Sequence, residues 1–184
     1  MRSILRQRTL AAHRCVDDVV SDLSLCERGQ YITFLQTHHL AYQTILGTMP
    51  VGHWVSALLR DLLAKLESDL GKLDSIVIAK PMIGLTQPLQ PLAVAYVICG
   101  SHFGKTILRK RWSKSTDPAV RAAGGFLADT TLKHGWQRLM ELLAELEKPA
   151  EEFNSLADDA DRTFQLFLDC LIVAKQKVVA NGTA

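Results

Sequence analysis

The chain has 184 residues, 48% of them hydrophobic and 22% charged, with 11 glycines and 6 prolines; these are the proportions of one globular domain, not of a disordered tail. A chain of this length buries roughly 70% of its extended surface on folding, so neither disulfides nor a structural metal is required. The net charge of +2, from 21 Lys+Arg against 19 Asp+Glu, excludes the dense cationic footprint of a nucleic-acid binder.

The longest uninterrupted apolar stretch, Leu92 to Cys99, is far short of the ~20 residues that cross a bilayer, so no membrane span is expected. No apolar export segment follows the N-terminal charges. Cys15, Cys26, Cys99 and Cys170 lie far apart, with no C-x-x-C pair. Free thiols in a reduced, cytoplasmic protein are the simplest reading. Residues 1–184 form a single domain without repeats or linkers, and the last six or so are expected to fray.

Apolar residues recur at three and four along nearly every long segment, which predicts an all-α fold. A first helix, Ser3 to Leu23, places Leu5, Thr9, Ala12, His13, Val16 and Val20 on one face, so His13 is expected to point inward. Ser24 and Glu27 have capping-box spacing ahead of a second helix carrying Tyr31, Phe34, Leu35, His38, Tyr42 and Ile45. A third helix runs from Trp54 to Leu70 with Gly71 as its C-cap. The segment from Leu73 to Gln90, with Pro81 and Pro88, reads as an irregular crossing. A fourth helix spans Pro91 to Trp112 and carries Gly100 and Gly104 in its interior. Two more follow, Leu132 to Leu146 and Pro149 to Val178.

Each mid-helix glycine costs about 0.8 to 1 kcal/mol relative to alanine, so the pair asks for a reason. Four residues apart, Gly100 and Gly104 bare one side of the helix over about two turns. Either another helix packs there or a flat ligand does. A lone histidine on an apolar face is more often a core histidine bonded to a carbonyl than a metal ligand, and His13 starts from that reading. Arg6, seven residues earlier, lies two turns or about 10 Å away on the same face. A guanidinium at that distance from an imidazole suits a rigid ligand with a metal at its centre and carboxylates at its edge, which haem satisfies; alternatively Arg6 ends a solvated face. His102 sits about 200° around the helix from Gly100, aimed away from the glycine side. His38, His39 and Tyr42 diverge too much for a metal cluster. His53 and His134 fall near helix ends, a favourable place for an imidazole.

The run Leu5-Arg6-Gln-Arg-Thr9-Leu-Ala-Ala-His13 resembles the opening of the biliverdin-producing haem oxygenases, in which a leucine and a basic residue precede a threonine and then the proximal histidine. Ala95-Tyr96-Val97-Ile98-Cys99-Gly100-Ser101-His102-Phe103-Gly104 resembles the A-Y-V-x-E-G-S-x-L-G segment of the kinked distal helix in bacterial members found beside bacteriophytochromes. Weaker similarities lie at Gly29-Gln-Tyr31 with Phe34-Leu35, at Leu66 to Leu70, and at Ala160 with Thr163-Phe164. The resemblance implies a haem-oxygenase-like multi-helical bundle that holds haem b, both substrate and cofactor, between a proximal His helix and a glycine-kinked distal helix. It further implies that His13 is the axial iron ligand, that Arg6 pairs with a propionate, and that Tyr96, Gly100, Ser101 and Gly104 border the haem, the last three at the reacting face. The implied reaction is O2- and electron-dependent cleavage of haem to biliverdin, carbon monoxide and ferrous iron. Electrons would come from ferredoxin, a flavoprotein reductase or ascorbate, and a bilin-accepting photoreceptor is an implied partner.

The chain departs from the family at Cys99, where an acid is usual, and at Lys105, where a second glycine is usual. Arg138, Lys133 and Arg162 are candidates for a second propionate partner. Two other readings stand beside the oxygenase: a haem-binding or haem-sensing module that does not cleave its ligand, and a thiaminase-like helical protein, which would need an activated nucleophile and paired carboxylates.

Overall fold

The computed structural model describes residues 2–79, 85, 87–145 and 150–182, and among them every regular element is a helix. In chain order these are α1 (Arg2–Arg8), α2 (Leu10–Ser21), α3 (Arg28–Leu46), α4 (Trp54–Lys72), α5 (Pro91–Gly100), α6 (His102–Trp112), α7 (Pro118–Ala122), α8 (Gly125–Ala128), α9 (Thr131–Glu145) and α10 (Ala150–Gly182). The long α10 runs through the bundle, packing on α3, α5 and the N-terminal pair α1 and α2; α4 lies against α3, and α9 against α5. The expected ends near Leu146 and Pro149, and the last two residues of the tail expected to fray, lie outside the described residues, as do 80–84 and 86 of the irregular crossing.

α5 and α6 together give 22 residues long and apolar enough to cross a membrane by length and composition. The reason is core packing: Ala93, Val94, Ala95, Val97, Ile98 and Cys99 of α5 are buried among other helices, and α6 carries Arg109, Lys110 and Arg111 in its last turn.

The expected first helix is two segments. Thr9, buried, turns its hydroxyl back to donate to the Leu5 carbonyl at 2.9 Å and takes φ −91°, ψ 2°, a back-bond of the kind that bends helices. The backbone ladder still crosses the bend, with Thr9 N donating to Leu5 O and His13 N to Thr9 O, both at 2.9 Å. The expected capping box is corrected too. Glu27 is the N-cap residue of α3 but its side chain caps nothing; Gln30 instead reaches back, its Oε1 accepting from Ser24 N at 2.7 Å. α4 runs through Gly71 to Lys72, and the residue that takes the left-handed conformation after it is Asp74, φ 54°, one of the few side chains that tolerate it.

Two short helices, α7 and α8, were not anticipated from periodicity. Asp117 caps α7 by accepting from Ala119 N at 2.8 Å, with Pro118 next in line. The fully buried Asp69 holds α8 from α4, its carboxylate accepting from Gly125 N at 3.1 Å and Phe126 N at 2.7 Å. Tyr31 donates to Ala123 O at 2.6 Å between them. Such pegs satisfy backbone groups that very short helices leave open.

Candidate functional site

An open cleft of about 350 Å³ separates the N-terminal helices from α5 and the start of α6, toward the small end of ligand-sized sites. Arg6, Thr9, Leu10 and His13 form one wall, Tyr96, Val97, Gly100 and Phe103 the other, and Trp136 and Phe164 complete the lining. Of the residues singled out from sequence, the cleft gathers Arg6, His13, Tyr96 and Gly100. Ser101 and Gly104 are not among its lining residues; both are exposed on the outer side of the α5–α6 junction.

His13 is not in the core, as its place on the apolar face had suggested. α2 packs through Ala12, Val16, Val19 and Val20, which leaves the imidazole at the seam with its side chain 50% exposed. Its ring stands edge-on to Phe164 at 5.5 Å, and Nδ1 lies 3.1 Å from Asp17 Oδ2, one helical turn on. A carboxylate can only accept, so Asp17 favours a proton on Nδ1, and in the neutral ring Nε2 is then the nitrogen that keeps a lone pair. This is the arrangement that orients metal-ligating histidines through their second nitrogen.

The helix of the opposite wall is interrupted at Ser101, where the amide and hydroxyl both reach the Ile98 carbonyl. Ser101 N is shared between Val97 O and Ile98 O at 3.3 Å each, Ser101 Oγ donates to Ile98 O at 2.7 Å, and His102 Nδ1 donates to Cys99 O at 2.8 Å. The bare strip is used differently at its two glycines. A Cβ on Gly100 would meet the Trp136 ring at 3.4 Å, whereas one on Gly104 would meet nothing within 4 Å. The helix-contact reading holds at Gly100, where the indole of α9 lies, while Gly104 faces open space outside the cleft lining. Around that indole gather Tyr96 at 5.8 Å, His102 at 6.0 Å and Phe103 at 5.4 Å, the last edge to face. The wall is aromatic.

Charge in the cleft comes from Arg6. Its neighbour Arg8 is tied to Asn154 at 2.6 Å and Asp158 at 2.9 Å, while Arg6 has no hydrogen-bond or ion-pair partner among the described residues. The other candidate cations are elsewhere: Arg162 pairs with Asp159 at 2.7 Å and donates to Gln87 O at 2.8 Å, Arg138 lies over the Trp54 ring at 5.0 Å, and Lys133 is exposed outside the lining.

The two departures from the family pattern have structural explanations. Cys99 is fully buried, and burial pushes its thiol up to about 12; it packs under Gly135, where a Cβ would come within 2.7 Å of the sulfur. Lys105 turns its amine away to α8, donating to Phe126 O at 2.8 Å and Asp129 O at 3.2 Å, and burial pulls it down to about 8. His38, His39 and His53 make their contacts away from the cleft. His38 donates from Nδ1 to Phe34 O at 2.8 Å inside a ring of Phe34, Tyr42, Phe126 and Phe167, where burial lowers it to about 4. His39 contacts Glu67 at 3.2 Å, and His53 caps α4 by accepting from Val55 N at 3.2 Å. No group of three His, Cys, Asp or Glu able to hold a metal occurs among the described residues.

No known family model matches this chain, and no curated protein does. The chemistry of the cleft is the remaining guide. Sequence reasoning missed Asp17 and Phe103, which spacings of four from His13 and three from Gly100 signal, and Trp136 and Phe164, whose convergence depends on how distant helices pack and leaves no local signal.

Proposed function

We propose that the chain is a haem oxygenase with a haem-oxygenase-like helical fold, taking haem b as its substrate and cleaving it to biliverdin, carbon monoxide and ferrous iron with O2 and external electrons. The observation that carries this is His13: an imidazole on one wall of an open aromatic cleft, with Asp17 Oδ2 3.1 Å from its Nδ1 and Nε2 as the nitrogen that would bind. An imidazole is an ordinary protein ligand to haem iron, and His13 would hold the haem in that way. Arg6, without a partner among the described residues and on the same wall, would supply the guanidinium for a propionate. Tyr96, Phe103, Trp136 and Phe164 offer apolar surface to the macrocycle.

When bound, haem would supply the redox chemistry. His13 would hold it through an imidazole nitrogen and Arg6 through a propionate; Gly100, with the Trp136 ring beside it, would border the ligand, and Tyr96, Phe103 and Phe164 would keep bulk water from the enclosed part. Ser101 and Gly104, outside the lining, would act at the reacting face only through the helix break next to Gly100. Ferredoxin, a flavoprotein reductase or ascorbate would serve as donor, and a photoreceptor could receive the bilin in a cytoplasmic setting.

One observation favours a haem-holding module without turnover. Cys99 replaces the acid, and no carboxylate is among the residues lining the cleft. The thiaminase-like reading has less support: Cys99 and Cys170 are both buried with thiols pushed up to about 12 by burial. Ferric haem titrated into the protein should produce a Soret band that His13→Ala alters. Aerobic incubation with ascorbate or a ferredoxin couple should then convert the complex to a bilin identified by chromatography, with carbon monoxide released. A haem spectrum unchanged by that incubation establishes the holding module; no Soret band at all removes both haem readings.

A further inference from the structure

α2 and α6, which carry the two walls away from the cleft, share at most a sparse contact; α2 rests mainly on α10 and α1, and α6 on α8 and α5. What joins them is a side chain. Arg111, in the last turn of α6, passes its Nη2 to the Ser21 carbonyl at 2.6 Å and to the Leu23 carbonyl. Ser115 adds a tie nearby, donating to Cys26 O at 2.6 Å. Ser21 ends α2, so its carbonyl is one of the four that a helix leaves without an internal partner. α2 has no basic residue in its own last turn. It therefore takes its C-terminal cation from the opposite wall, where a positive charge is favourable to the helix dipole.

We propose that Arg111 is a positioning residue that sets the separation of α2 from α6, and through it the width of the slot between His13 and Gly100. The inference rests on the haem reading for its consequence but not for its geometry. An arginine stem spanning two sparsely packed helices acts as a strut: the guanidinium fixes the carbonyls of Ser21 and Leu23, and the cleft opens between that strut and the Arg8 pairs with Asn154 and Asp158 at the other end. Removing the strut leaves the end of α2 uncapped and free to move away from α6, so the imidazole no longer meets a ligand seated against the distal wall.

The test uses the full chain without haem. One nitroxide goes on the exposed Cys15 of α2 and one on Ile107→Cys of α6, Ile107 being 64% exposed; Cys26 is replaced by serine, and the buried Cys99 and Cys170 stay unlabelled. Pulsed electron spin resonance should give a narrow distance distribution for the native strut, a broader one for Arg111→Gln, whose amide reaches one carbonyl, and the broadest for Arg111→Met. In the haem complexes, ferric haem should dissociate about tenfold faster from Arg111→Met than from wild type, with unchanged helical circular dichroism and a weakened iron–imidazole stretch. If Arg111→Met does not fold, Arg111→Gln decides. Superimposable distributions in folded variants overturn the proposal, as does a broadened distribution with haem release unchanged. If the wild-type chain takes no haem, the proposed function falls while the label distances still decide the strut.

Discussion

Gly100→Ala and Gly135→Ala should have opposite effects on stability, although both residues lie in helical segments one layer apart. At Gly100 the new methyl would stand 3.4 Å from Trp136 Cζ3, the edge of ordinary contact, with nothing else nearer than 3.9 Å. The chain there keeps only the benefit of replacing glycine in a helix, about 0.5–1 kcal/mol, which raises Tm by roughly 2–4 °C per kcal/mol in a protein of this size. At Gly135 the methyl would come within 2.7 Å of Cys99 Sγ and 3.5 Å of Leu58 Cδ2. Cys99 is fully buried and has no room to withdraw. Overpacking of that kind costs about 1–3 kcal/mol, which outweighs the helix benefit. Thermal melts followed by circular dichroism should therefore move up for Gly100→Ala and down for Gly135→Ala, and Gly135→Ala with Cys99→Ala should recover part of the loss as a positive coupling. Ferric haem titrations on the same proteins complete the test, because the methyl at 100 also enters the cleft: Gly100→Ala should be more stable yet bind haem several-fold more weakly. A Gly100→Ala protein that melts lower, or that binds haem as well as wild type, refutes the assignment of this glycine to a ligand-facing wall.

Asp17→Ala should weaken haem binding by roughly tenfold, the lower end for a residue that orients a ligating histidine, because this pair is half exposed and screened; unchanged affinity in equilibrium titrations would show that the imidazole needs no such support. Arg6→Ala should lower haem affinity without changing the urea midpoint, while Arg8→Ala should cost about 0.5–1 kcal/mol of stability and leave affinity intact. His38 titrates near 4 when folded and at its ordinary 6.5 when unfolded, so the unfolded chain binds the extra proton in that window. Stability should therefore fall as pH drops from 6.5 toward 4, by at most about 3 kcal/mol, and His38→Phe should flatten that slope in urea melts. Lys105 works over a different range with the same sign: its folded value of about 8 against an ordinary 10.5 means stability gained as pH rises from 8 to 10.5, absent in Lys105→Met.

Local pattern revealed the long helices, because each has an apolar face of 3.6 period and most of those faces are in fact buried. It failed where a side chain diverts the backbone or another element supplies the cap. Thr9 bends a segment that reads as continuous, and its hydroxyl bond to Leu5 is visible only in three dimensions. Asp69 holds a four-residue helix 56 positions away in sequence, a length too short for periodicity to register. Within the cleft, Arg6 and His13 were legible since a spacing of seven keeps them on one wall even though Thr9 divides the helix between them, and Gly100 since its helix cost is intrinsic. Half the aromatic lining was not, because Trp136 and Phe164 come from helices whose angle of approach no local rule fixes. The inward direction assigned to His13 failed for a related reason: hydrophobic periodicity names a face but does not distinguish the centre of a core from its open edge.

The lining of the cleft runs from Arg6 to Phe164, so the pocket draws on α1 and α10 together, helices separated by most of the intervening sequence. A nascent polypeptide presents the imidazole early, with no wall opposite it and no ring at its edge. The whole lining can hold a ligand only after Phe164 has emerged, and a truncation ahead of Phe164 would yield a polypeptide that displays the histidine without the ring that stands edge-on to it.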